Sequence, residues 1–296
     1  MSADISRRRF FQSTTGTIAA GSAASLLSFS DSGQAKPKKQ PLRLGLVTYN
    51  LAKDLDIDTI IKNCAEAKFE AVELRTTHAH KVEVDLTPAQ RVEVRKKFAD
   101  SPVRLASLGS IFEYDSPDPV VLKKNIQGAK EYILLAKDVG AAGIKVRPNR
   151  LHLKEGVAEE TTLKQIGESL REVGEFGSNN GVEIRLEVHG SETSRIPRTK
   201  KILDYADHGN VFVCWNSNQT DLEDGGLEKN FALLKDKIHF VHMRDLYLEE
   251  YPWSKLLKLL QENGYSGYCC AEIPASPDPI RVMSYYRALF LAYQEC

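Results

Sequence analysis

Val182-Glu183-Ile184-Arg185-Leu186-Glu187-Val188-His189-Gly190 is an alternating run that ends on two side chains an apolar core rarely accepts. Glu187 and His189 lie two apart, so in an extended segment both project from the same face. Gly190 follows, where the chain must turn. A carboxylate and an imidazole held side by side at a strand end outline a metal or acid-base site.

The arrangement recurs downstream. Val211 to Asn218 (V-F-V-C-W-N-S-N) closes with Asn216 and Asn218, Ile238 to Asp245 (I-H-F-V-H-M-R-D) carries His242, and Tyr268 to Pro274 (Y-C-C-A-E-I-P) carries Glu272. The steps from Glu187 to Asn216, His242 and Glu272 are 29, 26 and 30 residues. One strand, one helix and two short loops fill such an interval. Equal spacing of polar strand tips implies a repeating βα unit.

Working backwards, Leu42 to Asn50 is a strand signal, followed by Ile57, Ile60, Ile61 and Cys64 at helical spacing. Phe69 to Thr76 supplies a second strand ending in Glu73 and Arg75, with His78 and His80 in its loop and a helix opening at Thr87-Pro88. Val103 to Gly109 reads as strand three, with Ile111 to Pro119 as its loop. A long helix from Leu122 to Val139 is stopped by Gly140. Gly143 to Arg147 forms strand four, with Lys145 and Arg147 on one face, and its helix stops at Asn179-Asn180-Gly181. Further helices are expected around Lys201–Ala206, Leu227–Leu234, Ser254–Gln261 and Met283–Tyr293.

Eight strand-helix units without a break in rhythm predict an α/β fold, a single-domain (β/α)8 TIM barrel over 42–296. A doubly wound open sheet is the rival, but no G-x-G-x-x-G follows the first strand. In a barrel all the named tips meet at the C-terminal ends of the strands, where active sites lie.

Composition narrows the function. Basic and acidic residues number 40 each; without the first 35 residues they number 37 and 38. A neutral chain carries no electrostatic footprint for nucleic acid or anionic lipid. Cys64, Cys214, Cys269, Cys270 and Cys296 are odd in number and lack a C-x-x-C spacing, so neither a disulfide framework nor a zinc knuckle is indicated. The three in strand segments read as small buried hydrophobes.

Ser6-Arg7-Arg8-Arg9-Phe10-Phe11-Gln12, a weakly apolar run from Thr14 to Phe29, and Gly33-Gln34-Ala35 together resemble a bacterial twin-arginine export signal over 1–35. The run is too short and too rich in small residues to span a membrane. Residues 36–41 (K-P-K-K-Q-P) read as a linker. The expected location is the periplasm, with no stable membrane anchor. The resemblance implies export of an already folded chain, which suits a metalloenzyme.

A single buried Glu or His at a strand end is usually structural. Four from consecutive strands are different, because two carboxylates buried close together need a cation or protons between them. The segments L-E-V-H-G (186–190), V-C-W-N-S-N (213–218), F-V-H-M-R-D (240–245) and A-E-I-P (271–274) resemble the xylose-isomerase-like TIM-barrel family of sugar-phosphate isomerases and epimerases. That resemblance implies a divalent ion (Mn, Mg, Co or Zn) on Glu187, Asn216, His242 and Glu272, with the two Glu also moving the proton. Asn216 stands where the family more often has Asp, and Gln219 where a D-x-x-H pattern has His. An amide carbonyl still suits a hard cation, but one negative charge is missing.

Arg75, His78, His80, Lys145, Arg147, His189, Asn218 and Arg244 are candidates to bind hydroxyls or an anionic group of the substrate. The expected activity is metal-dependent isomerisation or epimerisation of a keto or aldehydo sugar through an enediolate, with Glu187 and Glu272 as acid and base. Alternatives are a lyase acting on an oxidised (3-keto) glycoside through the same metal site, and a non-catalytic sugar-binding barrel. The expected partner is a small-molecule sugar, not nucleic acid, and a homo-oligomer is compatible with the sequence.

Overall fold

Alternation at the strand tips closes into a ring. The computed structural model describes residues 41–295. The segment 1–35 and the linker up to residue 40 lie outside the described residues. Strands and helices alternate as β1 (Arg43–Val47), α1 (Ile57–Glu66), β2 (Ala71–Arg75), α2 (Pro88–Ala99), β3 (Arg104–Glu113), α3 (Pro119–Val139), β4 (Gly143–Arg147), α4 (Glu159–Asn180), β5 (Glu183–Glu187), α5 (Ile196–Ala206), β6 (Val211–Trp215), α6 (Leu227–Leu234), β7 (Ile238–Met243), α7 (Trp253–Glu262), β8 (Tyr268–Ala271) and α8 (Pro279–Glu295). All eight strands are parallel, and β8 pairs with β1 from Arg43↔Tyr268 to Leu46↔Ala271 to close the barrel.

The strands are short and almost wholly buried because both faces are covered. One face packs on the helices: Leu44, Leu46, Ile144, Val146, Leu186, Val188 and Trp215 share one apolar cluster with Ile60, Ile133, Ile166 and Leu256. The other face fills the barrel with Val47, Ala71, Ala106, Cys214, Phe240 and Cys270. The small residues in this set let a narrow ring close over a packed interior. Two residues further along their strands, Ala71, Cys214, Phe240 and Cys270 give way to Glu73, Asn216, His242 and Glu272. Period-two alternation thus converts an apolar plug into a polar mouth.

Helix ends follow local chemistry. Thr87 and Gln90 form a reciprocal capping box on α2, Asp118 caps α3 before a proline, and Gly140 (φ 83°) and Gly181 (φ 70°) end α3 and α4 in the left-handed region. The sequence reading stopped β3 at Gly109; the strand runs on to Glu113, across an irregularity in its pairing with β4. Glu113 pairs there with Arg147, and their side chains meet at 2.7 Å, so an ion pair beyond the barrel rim prolongs the strand.

The loop after β6 is locked by a buried polar cluster. Trp215, turned away from the barrel interior against Phe231 of α6, donates its indole N–H to Tyr251 Oη (3.0 Å). Tyr251 donates to Asp221 Oδ2 (2.7 Å), which also accepts from Asn218 N (3.0 Å). Burial pushes the Asp221 carboxyl up to about 7, against the pull of these donors. The folded chain therefore favours the protonated acid. Its contribution to stability is complete below the ordinary value of 3.8 and lost as the pH rises through about 7. Asp221→Asn does not titrate, so wild type should lose stability relative to this variant between pH 4 and pH 8, by about 4 kcal/mol at most. Paired denaturant melts across that range check it; a pH-independent difference contradicts it.

Candidate active site

At the C-terminal ends of the strands a cavity of about 240 Å3 is lined by Tyr49, Arg75, Lys145, Arg147, Glu187, His189, Asn216, Arg244 and Glu272. Eight of these nine, all but Tyr49, are site candidates in the sequence, and Lys145, 1% exposed, is deeply buried among them. His242 lies just beneath, 1% exposed, and is the hub of the acids. Its Nδ1 is 3.3 Å from Glu187 Oε1 and 3.6 Å from Glu272 Oε2, while Nε2 is 3.2 Å from Glu73 Oε1. On the β7 backbone, the His242 carbonyl accepts from Ser217 Oγ at 2.8 Å.

Lys145 Nζ donates to Glu187 Oε2 at 2.7 Å, with both side chains buried. Burial alone would raise the Glu187 carboxyl, yet the Lys145 ammonium and His242 outweigh it and hold the group well below the usual carboxylate range. Glu272 goes the other way. Burial raises it and Glu187 adds to the rise, despite the pull of His242 and Lys145; Arg75 comes no nearer than 3.7 Å. Two carboxylates on one imidazole thus differ in proton affinity, a pattern that separates a base from an acid.

Glu73 was seen in the sequence as a strand tip but was not assigned to the site. It is fully buried in β2 on the same inward face as Arg75, and neither carboxylate oxygen has a hydrogen-bond partner. Room for it comes from Gly109 of β3, where a Cβ would stand 2.7 Å from Glu73 Oε1. His242 and Lys145 hold its carboxyl low against the opposing effect of burial. Its one signal in the sequence is the i, i+2 spacing with Arg75. Tyr49, in the polar tip after β1, was also unassigned; Arg75 lies over its ring at 5.1 Å.

Other candidates stand apart from the cavity. His80 accepts from Val82 N at Nδ1 (3.0 Å), so its Nε2–H donates to the Arg75 carbonyl (2.7 Å), and the ring braces the β2 loop. His78 pairs with Thr48 Oγ1 at 3.0 Å, and burial lowers its pKa to about 4. Asn218 donates to the Val188 carbonyl at 2.6 Å and ties the β5 and β6 loops together. His189 does line the cavity, and its Nδ1 is buried without a protein partner. Gly190 (φ 95°) is required beside it, because a Cβ there would lie 2.0 Å from the Asn149 carbonyl.

Among the described residues, Glu187, His242 and Glu272 each offer a ligand atom, all within 4.8 Å of one another. Ligands about 2.0–2.2 Å from one ion sit roughly 3 Å apart, close to the contacts at His242 Nδ1. That nitrogen is buried without a hydrogen-bond partner, so the donor set fits a divalent cation. Glu73 on the opposite ring nitrogen is placed to orient the imidazole, as a carboxylate commonly does for a metal-bound histidine. Asn216, whose side chain carries a neutral amide oxygen, lines the same cavity.

Two changes should move metal affinity in opposite directions. Asn216→Asp adds the missing charge and should tighten Mn2+ binding by about 10-fold or more. Glu73→Gln removes the carboxylate behind His242 and should weaken it by about 10- to 100-fold. Calorimetric titration with Mn2+ reads both; equal affinities for all three proteins would exclude this site.

A larger cavity of about 510 Å3 opens at the other end of the barrel, around Arg43, Glu183, Arg185 and His239. Arg185 is already satisfied there by Glu183 (2.7 Å) and the Ala106 carbonyl (3.0 Å). The clustered acids, His242 and the unpartnered donors lie at the opposite mouth.

Known proteins share the architecture. No curated protein matches the sequence. A D-psicose 3-epimerase from Clostridium cellulolyticum H10, solved with D-tagatose, superposes with a TM-score of 0.73 at 14% identity, covering 86% of this chain and 100% of its own. A 3-keto-D-glucoside 4-epimerase from E. coli gives 0.68 at 15% identity, covering 86% and 100%. The IOLI protein with a bound zinc atom gives 0.67 at 15% identity, covering 85% and 96%. At such identities the likeness shows the fold. Residues 61–288 match the family described as xylose isomerase-like TIM barrel, and the chain belongs to that family.

Proposed function

We propose that the protein is a divalent-metal-dependent isomerase or epimerase of a keto or aldehydo sugar, with Glu187 and Glu272 exchanging the proton. The observation that carries this reading is the meeting of the two glutamates at His242 Nδ1, 3.3 and 3.6 Å away, with opposite shifts in proton affinity. Glu187, His242 and Glu272 would hold the ion, with the Asn216 carbonyl beside them. When bound, such an ion supplies Lewis acidity that lowers the energy of negative charge on the substrate's oxygens.

The protein's own groups divide the remaining work. Glu187, kept ionised by Lys145, is the base for the proton alpha to the carbonyl. Glu272, whose carboxyl burial raises, returns a proton. Glu187 ends β5 and Glu272 directly follows β8, three strands apart around the ring, and so they flank a substrate from different sides. Glu73 and Ser217 hold His242 in place from the ring and the backbone. Arg75, Arg147, His189 and Arg244 surround the cavity and orient the substrate.

The twin-arginine-like segment extends the proposal to an exported enzyme, a location that favours a free or oxidised sugar over a phosphorylated one. Among the described residues no helix is long and apolar enough to cross a membrane.

Protein supplied with Mn2+ in deuterated water should incorporate deuterium beside the carbonyl of a keto sugar. Glu187→Gln and Glu272→Gln should each slow this by about 10²- to 10⁴-fold, while removing metal with a chelator should abolish it. Release of an aglycone from a 3-keto glycoside would reassign the site to a lyase. Absence of exchange with any keto sugar would overturn the isomerase reading.

A further inference from the structure

The cavity is lined by four cationic side chains, Arg75, Lys145, Arg147 and Arg244, and among the described residues one of them has no carboxylate beside it. Lys145 is engaged by Glu187 and Arg147 by Glu113, each at 2.7 Å, and Arg75 is 3.7 Å from Glu272.

Arg244 differs from the other three. Among the described residues no carboxylate stands within ion-pair distance of it. Its Nε donates to the Ser217 carbonyl at 3.2 Å, which fixes the base of the guanidinium, and its Nη2 is buried without a protein acceptor. The cavity lining leaves three further buried nitrogens without a protein partner: Arg75 Nε, Arg147 Nε and His189 Nδ1. They come from β2, β4 and the turn after β5, whereas Arg244 follows β7, so the donors surround the cavity.

A buried N–H left without an acceptor costs about 1–3 kcal/mol, and more when it belongs to a charged group. One sugar hydroxyl can accept from one such donor but leaves the Arg244 charge unneutralised. A carboxylate or phosphate accepts from two nitrogens of one guanidinium and neutralises it, the geometry for which arginine is suited. A divalent ion on the neighbouring acids would raise the local positive charge further.

We propose that the substrate of this site carries an anionic group, a carboxylate or a phosphate, seated on Arg244 with Arg147 and Arg75 alongside. This deepens the isomerase reading and rests on it for the sugar portion of the ligand; the anion seat itself rests on the arginines. The export-like N-terminus favours the carboxylate of an oxidised sugar as the source of the charge.

The test is calorimetric titration of the full-length protein, as purified, with D-glucose, D-glucuronate and D-glucose 6-phosphate. At least one of the two anions should bind about tenfold or more tightly than glucose, and its identity separates carboxylate from phosphate. Arg244→Gln should bring the anion-to-glucose ratio to within about threefold, and Arg244→Lys should restore part of it. Thermal melts of both variants verify the fold. Equal binding of glucose and both anions, no binding of either anion in the millimolar range, or a preference that survives Arg244→Gln in a folded variant would each overturn the proposal. Because no turnover is needed, the two readings fail separately. Anion preference without deuterium exchange removes the isomerase, and exchange into neutral ketoses without anion preference removes the anion seat.

Discussion

Three carboxylates meet one imidazole inside the mouth of the barrel, and the rest of the site depends on how their charge is balanced. Glu73, Glu187 and Glu272 stand 3.2, 3.3 and 3.6 Å from His242 nitrogens, and Lys145 closes on Glu187 at 2.7 Å. Removing a charge from water costs several kcal/mol even after relaxation, so such a cluster persists only where opposite charges are brought in with it. Lys145 performs that task from β4, and against the opposing effect of burial Cys214, Glu73 and Glu272 raise the His242 imidazole well above its ordinary range. The same balance sets the unequal proton affinities of Glu187 and Glu272.

The position of this cluster follows from the barrel. Closing the parallel strands into a ring turns one face of each strand inward. Along each of these strands the inward-facing position changes from Ala71, Cys214, Phe240 and Cys270 to Glu73, Asn216, His242 and Glu272 within one step of the pleat. The apolar residues below exclude water from beneath the acids and strengthen the electrostatic contacts above them. Outside the ring, Trp215, Tyr251 and Asp221 lock the loop that carries Asn216. The charged ends therefore sit on rigid elements, an arrangement suited to holding groups at fixed distances.

Much of this was legible residue by residue. Period-two runs marked the strands, and Thr87-Pro88, Gly140 and Gly181 marked helix ends, because caps and alternation are local physics. Glu187, His242 and Glu272 stood out as polar tips on apolar runs, and they do converge. His80 and Asn218 carried the same kind of signal, yet their polar atoms are satisfied by neighbouring backbone. No pattern in the chain tells a loop histidine that braces a turn from one that faces a ligand. Lys145 reads in the sequence as a candidate to bind substrate hydroxyls or an anion, but β4 places it deep enough to be 1% exposed and bound to an acid.

The alternation, the spacing of the tips and the caps by themselves determined the (β/α)8 barrel and the set of strand ends that make up its mouth. These follow from periods of two and 3.6 residues and from turn chemistry, which act over a few positions. Only the tertiary structure decided that Glu73 of β2 stands behind His242 of β7, that Lys145 is spent on Glu187, and that Arg244 keeps a free donor. Those relations join residues separated by up to 169 positions, from Glu73 to His242. They depend on ring closure and on the register between strands, and neither is encoded in any local stretch of the chain.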